Sequence, residues 1–98
     1  LKLDEPAADL TVALALVSSL KDKAVDDNTI AFGEVGLAGE IRAVNNCEQR
    51  VNEAKRLGSE RCIIPFHNYK SISNQLKTST DIIPVRNIRE AFSALVEE

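Results

Sequence analysis

Thr29-Ile30-Ala31-Phe32 and Ile41-Arg42-Ala43-Val44 bracket the segment Gly33-Glu34-Val35-Gly36-Leu37-Ala38-Gly39-Glu40, and this stretch decides the fold. Each flanking tetrad is short and mostly apolar, as a strand requires. The intervening Gly33, Gly36 and Gly39 suit a hairpin with positive-φ positions. They fit neither G-x-G-x-x-G nor G-x-x-x-x-G-K-[ST], so a turn is preferred to a phosphate-cradling loop. A helix follows, starting after Asn45 or Asn46. Asn46 with Gln49 three residues on has the pattern of a capping box. Cys47, Val51, Ala54 and Leu57 repeat as its apolar stripe, and Gly58 stands where a helix stops. Arg61-Cys62-Ile63-Ile64 then reads as a buried strand ended by Pro65. Strand, helix, strand in this order predicts a parallel pair joined by a right-handed crossover. The chain is therefore expected to be α/β.

Outward from that stretch, the pattern continues. Upstream, Asp4 can cap a helix over residues 5–22, with Pro6 in its first turn, where a missing N–H costs nothing. Leu10, Ala13, Leu14, Val17 and Leu20 form its stripe, and Val12 and Leu16 widen it. So apolar a helix is central, covered on more than one side. Residues 21–28 are a polar connection. Downstream, residues 66–80 are polar, with a short helix predicted around Asn68 to Ser73. Asp81-Ile82-Ile83-Pro84-Val85 reads as another strand, and Pro84 puts it at an edge or a strand end. Asn87, Glu90 and the set Ile88, Ala91, Phe92, Leu95 and Val96 define a last helix with its cap.

Ninety-eight residues make one domain, 1–98. With 44% apolar and 28% charged residues the balance is that of a globular protein. The apolar run from Leu10 to Leu20 is too short and too interrupted to span a membrane. No secretory signal precedes it. The chain contains no methionine, so it is expected to be part of a longer one. Leu1-Lys2-Leu3 reads as the tail of a strand with partners upstream. Cys47 and Cys62 sit in apolar slots and read as small hydrophobes rather than a disulfide or metal pair. The net charge is −3. Within residues 55–89, however, Lys55, Arg56, Arg61, Lys70, Lys77, Arg86 and Arg89 face only Glu60 and Asp81. Such a stretch can be a nucleic-acid face, with Phe66 and Tyr69 for stacking, or simply a solvated surface.

Two motifs carry a resemblance. The first is Asp4-Glu5-Pro6-Ala7-Ala8-Asp9. The second is Gly33-Glu34-Val35-Gly36-Leu37-Ala38-Gly39-Glu40-Ile41-Arg42-Ala43-Val44, running into Asn45-Asn46-Cys47-Glu48-Gln49-Arg50. They resemble the D-G-P-S-A-G and G-E-I-T-L-R-G-x-V-L-P-I-G-G-L-K-E-K motifs of Lon-type Ser–Lys peptidases. In that family the serine of the first motif is the nucleophile and the second lysine of the other is the base. Laid over this chain without gaps, the serine falls on Ala7 and the lysine on Arg50. Alanine has no oxygen to attack with, and arginine stays protonated, so neither can do its part. Ser18 and Ser19 lie roughly 16–18 Å further along the helix at ~1.5 Å per residue and cannot substitute. Asp9 replaces a family glycine, which suits the helix dipole and hinders close approach of a substrate backbone.

The runs Leu1 to Leu10 and Gly33 to Arg42 are most similar to the C-terminal Lon-like domain of the RadA (Sms) family of bacterial DNA-repair ATPases. The resemblance covers nearly the whole chain. It implies an α/β fold bordering on α+β, of the Lon proteolytic-domain or ribosomal protein S5 domain 2-like type, lacking its first strands. It further implies a cytoplasmic parent with a zinc finger and a RecA-like core using ATP, Mg and Zn, none of them held by this domain. That parent would be a DNA-dependent ATPase acting in recombination and branch migration. Its partners would be DNA, a recombinase protein and copies of itself in a ring, a hexamer, with no membrane. The domain itself would be a non-catalytic scaffold. A DNA-binding module through residues 55–89 and a residual peptidase remain as alternatives. In the vestigial site Arg50 is expected near Ala7, pointing toward Asp4, Glu5 or Asp9. The acidic trio needs no metal, since capping a helix explains it. His67, the single histidine, lacks ligands at metal spacing and reads as a surface residue.

Overall fold

The computed structural model describes residues 9–10, 13–15 and 28–95. Residues 9–10 and 13–15 are helical and are labelled α1. Then come β1 (Thr29–Ala31), β2 (Glu34–Val35), β3 (Ile41–Arg42), α2 (Cys47–Arg56) and β4 (Arg61–Pro65). The order closes with α3 (Phe66–Tyr69), α4 (Asn74–Ser79), β5 (Asp81–Val85) and α5 (Ile88–Leu95). β1, β4 and β5 form a parallel sheet in that order, and β2 and β3 pair separately, antiparallel. The arrangement is mixed α/β around a parallel sheet.

Alternation along β4 sends successive side chains to opposite faces. Ile63 joins Leu10, Leu14, Ala31, Ile41, Val85, Ala91 and Leu95 on the side of α1 and α5. Cys62 and Ile64 join Cys47, Val51, Ala54, Ile72 and Leu76 on the side of α2 and α4. Parallel strands need cover on both faces, which is why β4 is a continuous apolar run rather than an alternating one. Cys62, Ile63 and Ile64 are all fully buried. A leucine or isoleucine so buried stabilises the fold by roughly 1.5–3 kcal/mol.

The parallel pair exists, but its members differ from the expected ones. β4 pairs with β1, Ile30 opposite Cys62, and not with the strand at Ile41. The hairpin joins Glu34–Val35 to Ile41–Arg42, so Thr29–Ala31 is released to the sheet. Phe32 and Val44 fall outside the strands. The Asn68 side chain accepts from Val44 N at 2.9 Å and donates to Val44 O at 3.1 Å. An amide side chain there takes the place of a ladder partner. The helix expected around Asn68 to Ser73 is replaced by α3 and α4, with Ser73 capping α4 through Leu76 N at 3.2 Å. β5 is outermost in the described sheet, as Pro84 requires.

Among the described residues, two of the three helix ends read from the sequence form as expected. Asn87 Oδ1 accepts from Glu90 N, and Glu90 Oε1 accepts from Arg86 N, both at 2.8 Å. This reciprocal cap starts α5. Gly58, at φ 104°, ends α2. Its N–H bonds Lys55 O while Ser59 N bonds Ala54 O, the double closure of a Schellman turn. The capping box at Asn46 is not formed. Asn46 adopts a left-handed conformation, φ 58° and ψ 39°, and its side chain makes no cap bond. An N-cap side chain reaches the helix N–H groups from an extended backbone, which Asn46 lacks. Leu57, expected in the stripe, is 71% exposed because the helix has already ended there.

Candidate functional site

The residue that follows the first motif touches the start of the second. Leu10 N, in the helical part of the first segment, donates to Gly33 O at the start of the second, at 3.0 Å. The approach is close enough to demand glycine. A Cβ on Gly33 would lie 2.7 Å from Ile41 Cγ2 and 3.2 Å from Leu10 Cδ2. Asp4, Glu5 and Ala7 lie outside the described residues, and so do the expected contacts between Arg50 and that end of the helix. Asp9 is half-buried. Arg50 is half-buried on the first turn of α2, where its Nε donates to Asn45 O at 2.9 Å.

Arg50 also borders an open cleft of about 410 Å³ between β1 and α2. Ile30, Phe32, Ala54 and Leu57 give it apolar walls, and Asn46, Gln49 and Glu53 complete the rim. Arg56 bonds Glu53 and holds its carboxyl below the usual range. The sequence pattern could not show this cleft, because Leu57 counted there as core.

The seven cations of residues 55–89 do not form one face. The strand register fixes two ends of the sheet: Arg61 opposite Asp81 at the amino end, Pro65 opposite Val85 at the carboxyl end. Lys55, Arg56 and Arg61 belong to the amino end, where α2 finishes and β4 begins. Arg61 is largely buried, 3.3 Å from the Asp81 carboxylate, and also donates to Ala94 O at 3.1 Å. Lys55 Nζ donates to Ser79 Oγ at 2.8 Å. At the carboxyl end, Arg86 lies 3.8 Å over the Phe66 ring, with the His67 ring edge-on at 5.9 Å. Phe66, His67, Lys70, Arg86 and Arg89 are exposed. Lys77 sits 4.2 Å over Tyr69. The Phe66–Arg86 stack was not readable from charge counts. Its signal is positional: each residue directly follows a strand, and the two strands are neighbours.

Cys47 and Cys62 are free thiols packed in one core cluster. Burial pushes both up to about 11, helped at Cys47 by the neighbouring Cys62 and at Cys62 by Asp81. Neither is set up as a nucleophile. Among the described residues no group of His, Cys, Asp or Glu could hold a metal ion, and no helix is long and apolar enough to cross a membrane.

A Lon-type domain is the class these motifs and this sheet define. Residues 2–98 match the sequence model of the Lon protease (S16) C-terminal proteolytic domain, and the chain belongs to that family. Within it, the chain is similar to proteins called DNA repair protein RadA. That of Aquifex aeolicus (strain VF5) is 46% identical over 95 residues, covering 97% of this chain and 20% of the relative. That of Streptococcus pneumoniae (strain ATCC BAA-255 / R6) is 46% identical over 91 residues, covering 93% and 21%. That of Bacillus subtilis (strain 168) is 42% identical over 91 residues, covering 93% and 19%. The chain spans about a fifth of the length of these relatives.

Proposed function

We propose that this chain is a non-proteolytic Lon-like scaffold domain of a RadA-type, ATP-dependent DNA-repair and recombination protein. One observation carries the reading. A member of a peptidase family has Ala7 and Arg50 where the motif overlay calls for the serine and the lysine. A Ser–Lys hydrolase needs a hydroxyl beside an amine that can take its proton, and neither is there. Kinship with relatives called DNA repair protein RadA supports the rest. On this reading the finer fold is that of ribosomal protein S5 domain 2. The remainder of the protein supplies the zinc finger and the RecA-like core with ATP and Mg, works on branched DNA in the cytoplasm, and partners a recombinase. The domain holds subunits in a ring, a hexamer.

The test uses the full-length protein. Deleting this region lowers the oligomer mass in light scattering and leaves the ATPase core folded. An unchanged mass removes the scaffold role. The protein turns over no casein-type substrate, with or without ATP, and a fluorophosphonate probe does not label it. Restoring serine at Ala7 alone creates no activity.

The Phe66–Arg86 stack favours a second reading, a DNA-binding module. An aromatic ring beside guanidinium groups offers stacking together with phosphate contacts. A salt-dependent shift of DNA by the domain supports it.

A further inference from the structure

We draw no further inference here: the strongest candidate, the exposed Phe66–Arg86 stack with Lys70 and Arg89 at the carboxyl end of the parallel sheet, belongs to the DNA-binding reading already given, and nothing in the structure shows what else covers it.

Discussion

The two ends of the parallel sheet use the same residue types for different purposes. At the amino end, Arg61 is tied to Asp81 and to the carbonyl of Ala94, Lys55 to Ser79 and Arg56 to Glu53. Arg61 and Lys55 fasten α2, α4, β5 and α5 around the start of β4, while Arg56 ties only within α2. At the carboxyl end, Arg86 rests on Phe66, and Lys70 and Arg89 stand exposed. A charge count treats all of them alike. The fold separates Arg61 from the rest, because register places it beside a carboxylate and a carbonyl, whereas Lys55 and Arg56 are exposed as Lys70 and Arg89 are.

The sharpest test of that contrast uses the thiols, one near each end. Cys47 opens α2 on the carboxyl side and Cys62 is the second residue of β4 on the amino side. Both are raised from 9.0 to about 11. Thiolate fraction alone then slows alkylation near neutral pH by about a hundredfold relative to the unfolded chain. Equal protection of the two is expected, read by mass spectrometry after iodoacetamide. Early modification of one would show that its end opens first. The sign for stability follows. A thiol with a raised pKa favours the folded state below pH 9, and that contribution is lost as pH rises through about 11.

Arg61→Ala comes next in size. It leaves Asp81 unpaired and removes a charged donor from Ala94 O, at a cost of about 2–3 kcal/mol in urea unfolding. The Arg86→Ala change at the other end costs less than about 1 kcal/mol, an exposed cation–π contact. If the second reading holds, Arg86→Ala instead weakens DNA binding and reduces the slope against log salt by about one. Equal destabilisation by the two changes would erase the distinction between the ends. Gly58→Ala falls between them, at about 1–2 kcal/mol, because a Cβ is strained at φ 104°.

Much of this contrast was legible in the sequence, and the reasons for the rest are physical. β4, β5, α5 and the Gly58 stop are local features: apolar runs, a capping pair and a positive-φ turn. The partner of β4 is not local. β1 and β3 are both short, and what decides between them is which one the hairpin leaves available, a choice made by Gly33 packing against Leu10 and Ile41. α3 and α4 have four and six residues, too few for a helical period to show. For the site, the dyad positions could be named from the motifs, and Leu10, just after the first, bonds Gly33 at the start of the second. The Phe66–Arg86 stack and the cleft needed the strand order.

The smallest expected effect is a gain, at the amino end. Thr80 precedes Asp81, is 7% exposed, and its hydroxyl finds no hydrogen-bond partner among the described residues. A buried hydroxyl without a partner has lost water and received nothing in return. Thr80 has an extended backbone, φ −140° and ψ 140°, which valine adopts readily. Valine keeps nearly the same shape, so Thr80→Val stabilises the chain by about 0.5–1 kcal/mol in urea unfolding. The amino end would then be a place where a polar group stabilises only through its bonds, as the Arg61 guanidinium does through Ala94 O. Destabilisation by Thr80→Val would mean that this hydroxyl is bonded after all, and that the amino end holds one more polar tie than the distances reveal.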